Sequence, residues 1–279
     1  MKTALLQITS TDQPRENLEA VLTRVEDAAE QGAKFILTPE VTNCVSQSRA
    51  HQETVLVHQD DDALLAALRV AAARLNVWIL IGSLALKTDD PDGRFANRSL
   101  LLAPDGTINA QYDKIHMFDV AISARETYRE SDGYRPGDRA VLAQTPFGPI
   151  GMSICYDLRF PSLYRQLAQA GARILTVPAA FSPVSGAAHW HCLLRARAIE
   201  TGCFVLAPAQ CGTHPQSGDD PPRTTYGHSL AVSPWGEILA EAGEIPETLL
   251  VDLRLTEVDN CRKRIPSIFA DQNYGCPDA

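Results

Sequence analysis

Short apolar runs of strand length alternate along this chain with longer segments whose apolar residues recur at helical spacing, and no other feature constrains the fold as much. Thr3 to Ile8 is such a run. After Asp12-Gln13-Pro14, the residues Leu18, Val21, Leu22, Val25 and Ala29 fall on one face of a helix, and Gly32 predicts its end. Phe35-Ile36-Leu37 then reads as a buried strand stopped by Thr38-Pro39, which leaves Glu40 just past the strand end. The unit repeats, with Leu64, Leu65, Leu68 and Ala72 at helical spacing and a strand from Val77 to Leu84 ending near Gly82-Ser83.

The middle of the chain reads differently. Arg98 to Leu102 and Thr107 to Tyr112 flank Ala103-Pro104-Asp105-Gly106, a turn sequence suited to a hairpin, with Lys114 just beyond it. Residues 115–140 form a polar connection long enough to need a functional reason, such as a lid or a subunit contact. The βα rhythm resumes with a strand from Ile150 to Ile154, a helix from about Pro161 to Ala170, a strand from Ile174 to Val177, a helix from about Ala187 to Thr201 and a strand from Phe204 to Ala207. Strands are predicted again at Gly227 to Val232, Glu237 to Ala240 and Thr248 to Leu253, before a helical and irregular C-terminus. With no linker or break in composition, the expectation is one domain over residues 1–279, α/β in class. Two mixed sheets stacked face to face with helices outside, a four-layer αββα sandwich, fit this pattern; a doubly wound single sheet fits the strand count as well.

Charge narrows the partners. Lys and Arg number 25 against 34 Asp and Glu, a net charge of −9, which argues against nucleic acid and against an anionic membrane surface. The N-terminal apolar stretch is too short for a signal peptide and no later run has the length of a membrane span, so a cytoplasmic protein is expected. The seven cysteines lie at 44, 155, 192, 203, 211, 261 and 276 without a Cys-x-x-Cys pair or nearby His at zinc-site spacing, and read as free thiols. His51, His58 and the Asp60-Asp61-Asp62 run match no metal cage; the acidic run directly precedes a helix, where negative charge complements the helix N-terminus.

Glu40, Lys114 and Cys155 each follow a predicted strand, the location at which open α/β proteins gather ligand sites. Singly they have ordinary explanations: a loop charge, a solvated amine, a small buried hydrophobe. Their surroundings are more specific. Thr38-Pro39-Glu40, Tyr112-Asp113-Lys114-Ile115-His116 and Cys155-Tyr156-Asp157-Leu158-Arg159-Phe160-Pro161 occur in that order. Pro178-Ala179-Ala180-Phe181, His189-Trp190, Arg195-Ala196-Arg197-Ala198-Ile199-Glu200, Tyr226-Gly227-His228-Ser229 and Pro234-Trp235-Gly236 follow. Together these resemble the nitrilase superfamily over nearly the whole chain. The likeness is to its Nit-type amidases, and the segment from Arg195 through Ala209-Gln210-Cys211-Gly212 is similar to the branch that acts on deaminated glutathione.

The resemblance implies an αββα sandwich, a Glu40/Lys114/Cys155 triad that needs no cofactor or metal, and a homodimer or larger assembly, with the tail from about residue 255 at a subunit interface. It also implies a fourth carboxylate after the lysine, for which Glu130 is the match and Glu126 a rival. The chemistry fits these residue types. A free thiol has a pKa of about 8.5 and needs a neighbouring base or cation to attack efficiently. Glu40 can take the proton, while the Lys114 ammonium and the Tyr156 backbone N–H can face the oxyanion, preorganised donors being worth about 3 to 4 kcal/mol each. Arg159 would clamp a substrate carboxylate, as the resemblance implies for 2-oxo acid amides, unless it pairs with Asp157. Phe181 would form pocket wall, and Trp190 reads as core. The expected activity is hydrolysis of a small amide, deaminated glutathione ahead of 2-oxoglutaramate. An acyl transferase using the same thioester and a non-catalytic binding protein on the same scaffold are the other classes.

Overall fold

The computed structural model describes residues 1–123, 126–217, 222–270 and 272, with side chains described outside 122–126. The strands in chain order are β1 (Lys2–Gln7), β2 (Phe35–Leu37), β3 (Trp78–Leu86), β4 (Ala96–Leu102), β5 (Ile108–Asp113), β6 (Asp119–Ser123), β7 (Glu126–Arg129) and β8 (Val141–Ala143). They continue with β9 (Ile150–Met152), β10 (Ile174–Thr176), β11 (Phe204–Ala207), β12 (Cys211–Thr213), β13 (Thr224–Tyr226), β14 (Leu230–Val232), β15 (Ile238–Glu241) and β16 (Glu247–Asp252). The α-helices are α1 (Pro14–Glu30), α2 (Arg49–Val55), α3 (Ala63–Leu75), α4 (Glu130–Gly133), α5 (Pro161–Gln169), α6 (Pro183–Thr201) and α7 (Thr256–Arg264).

Two six-stranded sheets form, in the orders β16-β1-β2-β3-β4-β5 and β15-β14-β11-β10-β9-β8. Side chains of the first sheet divide between its faces with a period of two. Leu5, Phe35, Leu37, Leu80 and Leu101 join Ile150, Met152, Ile174, Leu206 and Val232 of the second sheet in one buried cluster. Their neighbours Ala4, Leu6, Ile36, Ile79, Ile81, Leu100 and Leu102 join Val21, Val25, Leu64 and Leu68 from α1 and α3 in another. The first sheet therefore lies between helices and the second sheet, while α5 and α6 pack against strands of the second. The architecture is the four-layer αββα sandwich, and the single doubly wound sheet is ruled out.

Several segments depart from expectation. The strand expected to stop near Gly82-Ser83 runs to Leu86, with a bulge between Ile81 and Leu84. The helix expected from about Ala187 starts at Pro183, which occupies its first turn without needing to donate a hydrogen bond. Among the described residues of the 115–140 connection, β6 and β7 pair antiparallel and lead into the single turn α4. Asp62 caps α3 by accepting a 2.8 Å hydrogen bond from Leu65 N–H, while His51 contacts Asp12. Among the described residues six cysteines are free, and no helix is long and apolar enough to cross a membrane.

Candidate active site

Glu40 owes its position to a turn that β3 clamps. Ser83 Oγ accepts from Val41 N–H at 2.7 Å, Ser83 N–H donates to Pro39 O at 3.1 Å, and Gly82 N–H donates to Thr38 Oγ1 at 3.0 Å. Gly82 is required for this approach, since a Cβ there would lie 2.0 Å from Thr38 O and 2.4 Å from Pro39 O. Lys114 extends β5 by one residue, its N–H donating to Asn97 O at 3.0 Å, while the preceding Asp113 accepts from Arg98 Nε at 2.6 Å and Nη2 at 2.9 Å.

Cys155 turns the chain out of β9 with φ +49°, a left-handed conformation costing a non-glycine residue about 1 to 3 kcal/mol. The buried Asp157 carboxylate holds that corner. It accepts from Ile154 N–H at 2.8 Å, Tyr112 OH at 2.7 Å, His116 N–H at 3.0 Å and His116 Nδ1 at 2.7 Å, so it is already engaged and Arg159 does not need to pair with it. Cys155 N–H donates to Pro178 O at 2.9 Å, which ties the corner to β10's exit.

These elements bring Glu40, Lys114, Glu130 and Cys155 to one cleft of about 350 Å³. Lys114 Nζ donates to Glu40 Oε1 at 2.9 Å and to both Glu130 oxygens at 2.9 and 2.8 Å. Glu40 Oε1 also accepts from Asn97 Nδ2 at 2.8 Å, and Oε2 from Ala180 N–H at 2.8 Å. The Cys155 thiol is a hydrogen-bonding neighbour of the Glu40 carboxylate. Glu130 is held in turn by Phe118 N–H, 2.6 Å from Oε2. Glu126 has its side chain outside the described residues.

The electrostatics follow from this packing. Burial works to raise the Glu40 carboxyl, but Lys114 outweighs it and holds the group below the usual carboxylate range. Burial works to lower Lys114, yet Glu130 and Glu40 carry its ammonium well above the ordinary lysine value. The Cys155 thiol is pushed up, first by burial and then by the Glu40 charge, with Lys114 offsetting part of the rise. The resting cleft thus holds a carboxylate, an ammonium and a neutral thiol. Such a set can pass the thiol proton to the carboxylate as sulfur attacks a carbonyl, with the ammonium facing the developing negative oxygen.

Tyr156 lines the cleft, its ring edge-on to Phe118 at 5.1 Å, and Phe181 lines it as well. Arg159 lies in an adjoining recess that shares Phe118, Tyr156 and Ser185 with the cleft. Its guanidinium sits 5.4 Å from the Phe181 ring centroid and meets His189 Nδ1 at 3.2 Å. The main cleft holds Arg223 instead, anchored to Ala180 O at 2.8 Å.

Asn97 and Arg223 were missed from sequence. Asn97 had a signal: the hairpin register pairs Arg98 with Asp113, so the residue before Arg98 must stand beside Lys114. Arg223 had none, since it ends a turn-rich stretch whose return to the cleft depends on β12 and β13 pairing.

Comparison with known proteins bears on this arrangement. The carbon-nitrogen hydrolase family model matches residues 2–263. The chain is 39% identical over 264 residues to the deaminated glutathione amidase of Yersinia enterocolitica, covering 94% of this chain and 90% of that protein. It is 37% identical over 267 residues to the protein of that name from Homo sapiens, covering 94% and 80%. Among solved structures, Saccharomyces cerevisiae Nit3, a member of branch 10 of the nitrilase superfamily, superposes with a TM-score of 0.81 at 27% identity, covering 95% of this chain and 94% of that one. The chain belongs to the carbon-nitrogen hydrolase family, on the Nit side of the nitrilase superfamily, and is a hydrolase of carbon–nitrogen bonds other than peptide bonds.

Proposed function

We propose that the chain is a cysteine-dependent amidase that cleaves a small 2-oxo acid amide through a thioester on Cys155, with deaminated glutathione as its substrate. The support is the convergence of a neutral thiol, an ionised carboxylate and a fixed ammonium in one cleft. In the reaction, Glu40 takes the thiol proton as sulfur attacks the amide carbon. The carbonyl electron pair moves onto oxygen, which faces Lys114 Nζ and the Tyr156 N–H. Collapse of that intermediate expels the amine, and Glu40 returns the proton to its nitrogen, because an amide anion is too basic to leave. Water then attacks the thioester, Glu40 removes its proton, the acid departs and the proton returns to sulfur. Glu130 holds Lys114 throughout and does not itself touch the reacting carbon.

The substrate class is favoured by the relatives' names and by the lining of the cleft. A volume of about 350 Å³ lies near the lower end for small-molecule sites and suits a ligand of tripeptide size or less. Arg223 in the cleft and Arg159 beside it supply cations for carboxylates. Ser185 Oγ and Asn97 Oδ1, both buried, have no partner among the described residues and are available to a polar ligand. A cytoplasmic homodimer or larger assembly, with α6 and the C-terminal segment at the contact, accords with exposed Val184, Ile199, Ile265 and Phe269.

The test is incubation of pure protein with deaminated glutathione, 2-oxoglutaramate and a simple nitrile, following dipeptide or ammonia release and intact mass. Deaminated glutathione should turn over fastest and leave an acyl adduct that is absent from a folded Cys155→Ala variant. Full activity of Cys155→Ala would sink the thioester, and turnover of the nitrile alone would sink the amidase assignment. An added amine acceptor separates acyl transfer from hydrolysis.

A further inference from the structure

Apart from the residues that line the cleft, His191, His228 and Glu241 bring one ligand-capable atom each within 4.8 Å of one another. His191 Nε2 lies 2.7 Å and His228 Nδ1 3.0 Å from the same oxygen, Glu241 Oε1. The geometry points to a divalent transition-metal site here, of two imidazoles and one carboxylate with coordination positions left open to solvent, suited to Zn²⁺. The ligand types are those that borderline ions such as Zn²⁺ prefer, and three protein ligands with an open position is a recurrent zinc arrangement.

Preorganisation separates this group from a chance surface cluster. Its members come from three places: α6, the loop before β14, and the last residue of β15. His228 adopts φ +55°, and its backbone is pinned on both sides, its N–H donating to Gly243 O at 3.0 Å and its C=O accepting from Trp190 Nε1 at 2.7 Å. Trp190 is fully buried and immediately precedes His191, so one anchored indole fixes both imidazole-bearing segments. Tyr226 stacks on the His228 ring at 4.4 Å and stands edge-on to His191 at 6.4 Å, which limits rotation of both. Glu241 is fixed by β-pairing to Leu230.

Without metal, each imidazole donates its proton to Glu241 Oε1. Metal binding needs the lone pairs of those two nitrogens, so each proton moves to the other ring nitrogen of its own ring. Ligands held in rigid elements and already oriented by one another need little reorganisation to accept an ion.

The experiment measures Zn²⁺ binding to the full chain by competition against a chromogenic chelator. It is done in a Cys155→Ala/Cys192→Ser background, which removes the catalytic thiol and the exposed thiol next to His191. One Zn²⁺ per chain should bind in that background, and His191→Ala or Glu241→Gln should each weaken it at least about tenfold, the scale of a lost ligand or its partner. Thermal melting without metal checks that each variant folds, and His191→Gln replaces His191→Ala if that variant does not. Co²⁺ in place of Zn²⁺ should give ligand-field bands without thiolate charge-transfer absorption. Binding that disappears with the two thiols, or that is unchanged in folded His191 and Glu241 variants, overturns the proposal.

Discussion

Glu40→Gln tests the proposed proton shuttle with little change of shape. Glu40 is almost fully buried, accepting hydrogen bonds from Lys114 and Asn97 on Oε1 and from Ala180 N–H on Oε2. A glutamine that keeps its oxygen on the Lys114 and Asn97 side must turn its NH₂ toward the Ala180 N–H, leaving a buried donor unmatched at a stability cost of about 1 to 3 kcal/mol. The fold should survive that. Lys114 remains held by both oxygens of Glu130, and a native protein commonly has about 5 to 15 kcal/mol in hand. Chemistry should not survive so easily, because the amide cannot accept the thiol proton. A positioned base contributes about a hundred- to ten-thousand-fold, or about 3 to 5 kcal/mol of barrier. Rapid-quench single-turnover measurement of adduct formation on Cys155, with urea denaturation alongside, reads both effects. Acylation within about threefold of wild type in a folded variant would refute Glu40 as the base.

Other expectations follow from the same contacts. The pH profile of kcat/KM should be broad: the acid limb lies below the ordinary glutamate value of about 4.3, because Glu40 is depressed, and the alkaline limb above the ordinary thiol value of about 8.5, because Cys155 is raised. A limb centred on either ordinary value would contradict the electrostatics described. Arg223→Gln should raise KM for a dicarboxylate substrate by about ten- to a hundredfold with little change in kcat, a charged hydrogen bond being worth about 1.5 to 3 kcal/mol; an unchanged KM removes Arg223 from recognition. His214, buried between Ser10 O and Thr225 Oγ1 at 2.8 Å each, is lowered by burial from 6.5 to about 4, so its contribution to stability is intact above pH 6.5 and is lost as pH falls toward 4. At about 1.36 kcal/mol per pH unit that loss is about 3 kcal/mol, and His214→Gln should flatten the urea-denaturation stability over this range by that amount. Equal pH dependence in both proteins would show that His214 is not kept neutral by its burial.

Where the sequence punctuates itself, it locates the site. Thr38-Pro39 ends β2, the Ala103 to Gly106 turn fixes the register of β4 on β5, and these put Glu40 and Lys114 at strand ends. The choice between a sandwich and a single sheet was not legible for a related reason. Both faces of β1 to β4 are apolar, so Ala4, Leu5 and Leu6 read as one run although alternate residues face different layers. Residues 115–140 were opaque because their order comes from distant partners. Arg49 Nη1 donates to Gly133 O at 2.8 Å, and Tyr134 packs edge-on to Phe95 at 5.8 Å. Without those contacts nothing local specifies the turn that delivers Glu130 to Lys114. The start of α6 was displaced because Val184, Ser185 and Gly186 are weak helix formers. Gly186 is there for closeness, since a Cβ would lie 2.3 Å from the Tyr226 ring.

Charge accounting explains why the proposed site needs two carboxylates beside one lysine. With Glu40 and Glu130 ionised and Lys114 protonated, the buried group carries one net negative charge while the thiol is neutral. Burial is the first reason the Cys155 thiol is pushed up, and the second negative charge that a resting thiolate would add to the same small volume raises it further. Attack avoids that state: as the proton moves to Glu40, negative charge leaves the carboxylate for sulfur and then for the substrate oxygen, and the total never exceeds one. Lys114 must then serve the oxyanion while Glu40 is neutral. Were Glu40 its sole anionic partner, protonation of Glu40 would leave the ammonium without a fixed counter-charge and free to shift. The two contacts from Glu130 keep it in place through that interval. Glu130→Gln should therefore lower kcat more than it raises KM, and an effect confined to KM would mean that Glu130 contacts substrate rather than steadying the lysine.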